Sequence, residues 1–254
     1  MSIRICSFNL RYEKGDDGIN VFPNRKNRIL ETIRTERPDV IGFQETMEGA
    51  RAFLTESLHE YTVLGCGRLP DLTGEGVTLA FRKDKFDILG YDAFWLSATP
   101  AVPGSYYGGD QSHNPRMAQI VHLIPRDGSH PFVFCNTHLD DLGKNARLSG
   151  SIQILQALSR YPDDMPLILT GDFNALPSDP EITVLGQWMK GRLKDVTASI
   201  TETFHGFGKR IPGSKIDYIF TTGTAVTPAY TAEDKPLDGV YSSDHYAVVC
   251  DVAF

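Results

Sequence analysis

The chain has 254 residues, of which 41% are hydrophobic and 22% charged, and its formal net charge is −7 at pH 7. This composition is ordinary for a soluble globular protein. The acidic balance disfavours a protein that binds long nucleic acid by charge alone, because such proteins carry a basic stripe. It is compatible with an enzyme for a short anionic substrate, since a bound divalent cation reverses the local field.

The sequence contains no signal for export or for membrane insertion. Its first residues run into a strand-like segment at 3–9 without the basic and apolar regions of a signal peptide. No apolar run approaches the ~18 residues of a membrane span. The cysteines form no CxxC pair, which favours reduced, buried thiols over a zinc site or a disulfide: Cys6, Cys66, Cys135 and Cys250. We therefore expect a cytoplasmic protein with no membrane span and no obligate protein partner.

Strand-like and helix-like segments are distributed along the whole chain. Runs rich in Val, Ile and Phe predict strands at 3–9, 38–44, 61–65, 76–82, 86–91, 116–124, 131–138, 165–171, 216–221 and 245–253. Helical spacing of apolar residues predicts helices at about 24–36, 46–58, 143–160 and 179–190. Loops rich in Gly and Pro lie at 97–115 and 201–215, and loops of this length in a compact domain are usually functional or mobile.

The order of these segments indicates one domain over residues 1–254. No internal repeat and no linker composition divides the chain. Strands on both sides of each long loop fit one core. We predict an α+β fold in which two mostly antiparallel sheets pack together with helices outside.

Polar residues concentrate where the predicted strands begin or end. They are Asn9, Gln44, Glu45, Asn136, His138, Asp172, Asn174, Asp217, Asp244 and His245. Each one alone is explained by turn or capping chemistry. Asp217 is the exception, because it interrupts the apolar run at 216–220. A buried carboxylate costs several kcal/mol unless it is paired or binds a metal.

As a set, these residues supply the chemistry of phosphoester hydrolysis. Glu45 can hold a hard cation through oxygen, as Mg²⁺ prefers. His245 paired with Asp217 can take a proton from water. Asp172 and Asn174 can orient that water and the phosphate. A second histidine, His138, can stabilise or protonate an oxygen.

Other hydrolase templates are absent from the sequence. It contains no HExxH, no GxSxG, no phosphate-binding loop ending in Gly-Lys-Ser/Thr and no GxGxxG after a strand. A zinc hydrolase built on the His and Asp residues is an alternative. Because zinc sites favour several His or Cys ligands, the oxygen-rich set favours Mg²⁺ or Mn²⁺.

The ordered motifs resemble the endonuclease/exonuclease/phosphatase family of DNase I-like metal-dependent hydrolases, and within it the small bacterial branch. The resemblance covers nearly the whole chain. Its motifs are Ser7–Tyr12, Asn24–Lys26, Arg37–Glu45, Phe81–Phe86, Phe94–Ser97, Asn136–Asp140, Gly171–Asn174, Lys215–Phe220 and Ser243–His245. The resemblance implies a four-layer α/β/β/α sandwich with the site at the mouth between the sheets.

The resemblance also implies roles for individual residues. Mg²⁺ or Mn²⁺ is expected on Glu45 near Asn9, with Asp244 as a ligand or an immediate neighbour. His245, held by Asp217, is expected to be the general base. The other expected contacts to water, phosphate or the leaving oxygen are those of Asp172, Asn174 and His138.

Two further positions match the family. Glu75 corresponds to a residue that orients His138, with a solvated turn as the alternative. Arg116 corresponds to a site-facing arginine whose planar fork suits phosphate, with a surface ion pair as the alternative. The chain departs from the bacterial branch at Asp141, where His is common, and at 117–119, where Ala-Thr-Trp is common. Both departures lie on the expected substrate side.

We therefore predict a divalent-metal-dependent phosphoesterase that hydrolyses a phosphodiester by in-line attack of a His-activated water. Nucleic acid, a nucleotide or another small phosphoester is the expected substrate. The alternatives are a phosphomonoesterase for sugar or lipid headgroup phosphates and a catalytically silent phosphate-binding or scaffold protein on the same fold. Loop aromatics that could stack on a base or a sugar are Trp95, Tyr106, Tyr107, Phe204 and Phe207.

Overall fold

The computed structural model describes residues 2–209 and 211–254. The strands are β1 (Ser2–Asn9), β2 (Val40–Thr46), β3 (Tyr61–Gly67), β4 (Gly76–Arg82), β5 (Phe86–Trp95), β6 (Met117–Pro125), β7 (Phe132–His138), β8 (Leu167–Asp172), β9 (Lys194–Asp195), β10 (Asp217–Thr221), β11 (Thr224–Ala225), β12 (Tyr230–Thr231) and β13 (Val248–Ala253). The helices are α1 (Phe22–Glu36), α2 (Glu48–Ser57), α3 (Lys144–Leu158) and α4 (Pro180–Gly191), with a short 3₁₀ turn at Gly18–Asn20.

The strands form two mixed sheets. The first sheet has the order β11-β13-β1-β2-β4-β3, with β12 also paired to β13, and the second has the order β5-β6-β7-β8-β10-β9. One central pair in each sheet is parallel, β1 with β2 and β7 with β8, and the other pairs are antiparallel. Parallel neighbours end at the same edge of a sheet, so residues at the ends of β1 and β2 lie together, as do those of β7 and β8.

The two sheets pack face to face between two layers of helices. Ile5 and Phe81 of the first sheet and Phe134 and Ile168 of the second belong to one buried cluster between the sheets. A second cluster joins the first sheet to α1 and α2, and a third joins the second sheet to α3 and α4. The predicted α+β, four-layer sandwich is therefore confirmed.

The two sheets approach each other closely at Gly42 and are joined there by the side chains of Gln44 and Asn136. A Cβ on Gly42 would lie 2.1 Å from the Thr170 hydroxyl oxygen and 2.5 Å from the Asn136 side-chain oxygen, so only glycine fits there. The Gln44 amide donates to Asn136 Oδ1 at 2.8 Å, and both side chains are fully buried. Gln44 and Asn136, noted at strand ends in the sequence, thus connect the two sheets.

Several predicted boundaries need correction. The last strand begins at Val248 rather than at 245, because Ser243 and His245 turn into the space between the sheets, and the Ser243 hydroxyl donates to the Asn9 carbonyl at 2.6 Å. Strand β5 continues to Trp95, beyond the predicted 86–91. Helix α4 is broken near its end, where Trp188 is extended and the two residues after it have positive φ.

Other expectations of the sequence are met in the described part of the chain. The loop at 97–115 contains no helix and no strand. All four cysteines are free thiols. None of the helices there has both the length and the apolar character that crossing a membrane requires. A cytoplasmic location stays a prediction.

Candidate active site

The candidate site lies where the central strands of both sheets end. His138 closes β7 and Asp172 closes β8, and the parallel register places them side by side. Asp217 opens β10 directly opposite Asp172. From the other sheet, the Asn9 side-chain amide donates to Asp172 Oδ2 at 2.9 Å and to Glu45 Oε1 at 3.0 Å. A single amide therefore joins the carboxylates of the two sheets.

His245 and Asp217 form a buried pair at the centre of the site. His245 Nδ1 lies 2.8 Å from Asp217 Oδ2, and the two residues are 4% and 0% exposed. His245 Nε2 lies 3.8 Å from Asp172 Oδ2, and the Phe204 ring packs against the imidazole with 4.9 Å between ring centroids. Burial lowers the pKa of His245, but the charge and hydrogen bond of Asp217 outweigh it and raise the pKa to about 10.

A tight turn after β8 orients Asn174. Its φ is +47°, a left-handed conformation that asparagine tolerates better than most residues. The Asn174 backbone N–H donates to Asp172 Oδ1 at 2.9 Å, and its side-chain nitrogen lies 3.1 Å from both the Leu139 carbonyl oxygen and His138 Nε2. Asn174 and His138 therefore act as one fixed polar pair beside Asp172.

Glu45 reaches the site from an irregular part of β2. The register of β2 against β4 shifts between Phe43 and Thr46, and Glu45 lies in this bulge with φ +59°. Bulges redirect a side chain that a regular strand would point elsewhere. Glu45 Oε2 accepts a hydrogen bond from the Tyr12 backbone N–H at 2.8 Å. Both of its oxygens are thus held at fixed positions.

Two sets of three acidic or histidine side chains in residues 2–209 and 211–254 have ligand atoms within 4.8 Å of one another. They are Glu45–His138–Asp172 and Asp172–Asp217–His245. Burial and then Asp217 raise the pKa of Asp172 to about 7. A raised carboxyl pKa results where a buried carboxylate lacks enough positive partners. Glu45 and Asp172 therefore fit a hard divalent cation, whose preferred ligands are oxygens.

The other two expected ligands are placed differently. Asn9 Oδ1 accepts the Arg11 backbone N–H at 2.9 Å, so its amide hydrogens face the carboxylates. Asp244 accepts the Ser243 hydroxyl at 3.3 Å and lies 3.8 Å from Arg11 Nε. Neither residue belongs to the two sets above. Metal ligation by Asn9 and Asp244 stays a prediction.

Arg116 is buried rather than at the surface. It is 5% exposed, its Nη2 lies 2.9 Å from Asp141 Oδ1, and its buried Nε and Nη1 have no hydrogen-bond partner in residues 2–209 and 211–254. The Asp141 carboxylate, at a position where the sequence departs from the bacterial branch, therefore holds one end of this guanidinium.

Glu75 pairs with an arginine instead of a histidine. Its Oε2 lies 3.0 Å from Arg68 Nη2, and it forms no hydrogen bond with His138 in the described part of the chain. Arg68, 8% exposed, was not predicted from the sequence. Its position directly after the end of β3 is the same signal that marked the other site residues. Burial, Arg116 and Arg68 keep the pKa of His138 well below its ordinary value, so its imidazole is neutral.

All these groups surround one open cavity of about 340 Å³. Its walls include most of the predicted site residues: Glu45, Glu75, Arg116, His138, Asp172, Asn174, Asp244 and His245. Asp217 lies behind His245, and Asn9 lies behind the two carboxylates. Of the five loop aromatics noted in the sequence, only Phe204 lines this cavity.

Comparison with known proteins agrees with this geometry. The model described as "Endonuclease/Exonuclease/phosphatase family" matches residues 6–245. The chain belongs to the endonuclease/exonuclease/phosphatase family.

Solved structures of this family have the same fold. One from Bacteroides vulgatus is 28% identical with a TM-score of 0.88, over 100% of this chain and 99% of that one. The mannosyl-6-phosphatase of Bacteroides thetaiotaomicron is 27% identical with a TM-score of 0.83, and the match covers 99% of this chain and 100% of that one. The human Nocturnin catalytic domain is 20% identical with a TM-score of 0.75, and the match covers 100% of this chain and 94% of that one. At this identity the similarity shows the shared fold alone.

Curated relatives are more distant. An uncharacterized mimivirus protein is 27% identical over 59% of this chain and 58% of its own length. Drosophila melanogaster Nocturnin is 24% identical over 90% of this chain and 41% of its own. The chain thus spans 58% or less of these relatives' lengths.

Proposed function

We propose that this protein is a divalent-metal-dependent phosphoesterase in which His245 activates the attacking water. The observation that carries the proposal is the buried His245–Asp217 pair at 2.8 Å, whose free Nε2 faces the cavity beside Asp172. Asp217 accepts the Nδ1–H, which leaves Nε2 as the proton acceptor. A buried histidine base whose Nε2 lies beside carboxylates that suit a cation is an arrangement for hydrolysis.

Glu45 and Asp172 would hold the divalent ion. When bound, such an ion stabilises the negative charge that develops on a phosphoryl oxygen. Its positive charge would lower the pKa of His245 from the value of about 10 to which the charge and hydrogen bond of Asp217 raise it. The base can then be neutral near pH 7, as its role requires.

The remaining polar residues position the phosphate. Asn174 Nδ2 lies 3.1 Å from His138 Nε2, and a phosphoryl oxygen that replaces this contact could accept from the Asn174 amide and from the Nε2–H tautomer of His138. Asp172 lies within 3.8 Å of both imidazole Nε2 atoms and can orient the attacking water between them. No covalent enzyme intermediate is needed, because the water attacks the phosphorus directly.

A small phosphoester is the substrate class that these features support best. The cavity of about 340 Å³ is at the lower end of small-molecule sites. Similarity to a mannosyl-6-phosphatase at 27% identity over nearly the full length of both chains also supports a small ester. A panel of phosphomonoesters, nucleotides, oligonucleotides and lipid phosphodiesters, assayed with Mg²⁺ and with Mn²⁺, tests the proposal. Turnover of no member would contradict it.

Glu45→Gln is expected to weaken binding of Mg²⁺ or Mn²⁺ by at least about tenfold, because it removes a charged ligand oxygen while keeping the shape. Calorimetric titration of the ion into the protein measures the affinity. Glu48→Gln is the matched control, since Glu48 is exposed and lies outside the cavity. Equal affinities for the wild type and Glu45→Gln would remove Glu45 from the metal site.

A further inference from the structure

We infer that Arg68 and Arg116 form an anion subsite that selects a terminal phosphate, so that the substrate is a phosphomonoester rather than a phosphodiester. This inference rests on the proposed function and narrows its substrate class from phosphoesters to phosphomonoesters. It begins with the fact that two arginines, 8% and 5% exposed, line the same cavity as the catalytic groups.

Each guanidinium is held by one carboxylate that lines the same cavity. Glu75 holds Arg68 with 3.0 Å between Oε2 and Nη2, and Asp141 holds Arg116 with 2.9 Å between Oδ1 and Nη2. Arg116 Nε and Nη1 are buried and have no hydrogen-bond partner among the described residues, and Asp140 Oδ2 lies 3.7 Å from Nε. Buried donors of a charged group are costly to leave unpaired. A phosphate placed against Arg116 in the cavity would offset this incompletely paired charge.

The charge of Arg116 also disfavours the charged form of Arg68. Burial lowers the pKa of Arg68, and the charge of Arg116 lowers it further. Two cations that lie close together in a buried wall are stabilised by a shared anion. Phosphate is suited to this role, since a guanidinium fork matches two of its oxygens at once.

The wall behind the arginines is closed. The remaining space there, bordered by Val77, Met117 and His138, is about 10 Å³, which holds at most about one water molecule. Val77, Trp95 and Met117 pack into one buried cluster, and the Trp95 indole N–H donates to the Arg68 carbonyl at 2.6 Å. The space beyond the two arginines is therefore too small for a second ester substituent on the phosphate.

A phosphomonoester fits this closed end better than a diester. It has three terminal oxygens and about −1.5 to −2 charges near pH 7, whereas a diester has two such oxygens and one charge. The Arg68 and Arg116 guanidiniums and the Asn174 amide, all in the cavity wall, together can engage all three oxygens. The ester substituent then extends into the rest of the cavity, which Tyr12 and Phe204 also line.

The test compares two esters with the same leaving group, p-nitrophenyl phosphate and methyl p-nitrophenyl phosphate. We expect a higher kcat/KM for the monoester in the wild type. Arg68→Gln and Arg116→Gln should each lower kcat/KM for the monoester by about tenfold or more, mainly through KM, and lower it less for the diester. Arg126→Gln is the matched control, because Arg126 is an exposed residue paired with Asp87.

A binding measurement decides the inference independently of turnover. Inorganic phosphate is titrated into wild type and variants by calorimetry with EDTA present, and each arginine substitution should weaken binding by about tenfold or more. Arg116→Lys, which keeps the charge but loses the fork, replaces Arg116→Gln if the latter does not fold.

Two results would overturn the inference: faster hydrolysis of the diester than of the monoester by the wild type, or phosphate binding that neither arginine substitution changes. If the wild type turns over neither of these esters and no member of the panel with Mg²⁺ or Mn²⁺, the hydrolytic proposal fails. The phosphate titration then still decides whether Arg68 and Arg116 bind the anion.

Discussion

His245→Gln is expected to lower kcat by about 10²–10⁴, the usual contribution of a general base. Glutamine has a similar length and can still donate an N–H to Asp217, so the buried carboxylate keeps a partner. It cannot accept a proton at the position of Nε2, 3.8 Å from Asp172. Because the substitution removes proton transfer and leaves the phosphate-binding groups in place, KM should change much less than kcat.

The measurement is initial-rate kinetics on the best ester of the panel, with saturating Mg²⁺ or Mn²⁺. The matched control is His59→Gln, a histidine that is exposed between α2 and β3. Its kcat should equal that of the wild type. A His245→Gln enzyme with near-wild-type kcat would remove His245 from the role of base and shift attention to Asp172, the carboxylate 3.8 Å from Nε2.

The catalytic centre was predictable because its charged residues lie within apolar strands or at the ends of such strands. Asp217 lies in an apolar run, and Asp172, His138 and Glu45 close apolar strands. Charged groups in such places need partners, and the parallel pairs of each sheet place those partners at one edge. The order of strand-like and helix-like segments also predicted two packed sheets with helices outside, and the family resemblance predicted the four layers.

Arg68 and Arg25 are harder to find in this way. Arg68 directly follows β3, as other site residues follow strands, but an arginine after a strand or in an amphipathic helix is usually solvated, and its stem covers apolar surface while its charge stays in water. The burial of Arg68 depends on Glu75, across a loop, and that of Arg25 on acceptors outside its helix. For Arg25 these acceptors are backbone carbonyls, which every residue carries, so no side-chain pattern marks them.

The register shift and the bulge around Glu45 also could not be predicted from the sequence. The predicted second strand ended at residue 44, but β2 continues to Thr46 through an irregular pairing with β4. A one-residue change of register moves a side chain to the opposite face of a sheet. Whether Glu45 points into the cavity therefore depends on a tertiary detail, whereas its predicted role came from its place at a strand end, its oxygen ligands and the family resemblance.

Arg25→Met is expected to lower the free energy of unfolding by about 3–5 kcal/mol, as removal of one partner from a buried charged network does. The Arg25 side chain is 0% exposed. Its guanidinium donates to the carbonyls of Asn20 at 2.8 Å, Ser242 at 3.1 Å and Arg11 at 2.6 Å, and also to that of Leu10. Methionine fills the volume but leaves all four buried acceptors without a donor.

Urea unfolding measures the change, with the midpoint compared at constant slope. Arg34→Met is the matched control, because Arg34 is an exposed residue of the same helix, and its effect should stay within about 0.5 kcal/mol. A loss below about 1 kcal/mol for Arg25→Met would mean that water replaces the guanidinium.

Because of the position of these carbonyls, Arg25 should also affect the rate of the reaction. Leu10 and Arg11 directly follow Asn9, and Ser242 precedes Ser243–His245, so one guanidinium ties together the two segments that carry the base and the bridging amide. Burial lowers the pKa of Arg25 to about 10, but the residue remains charged at pH 7 and the interaction persists. In Arg25→Met, kcat should therefore fall at temperatures where the protein is still folded, whereas Arg34→Met should keep both its stability and its rate.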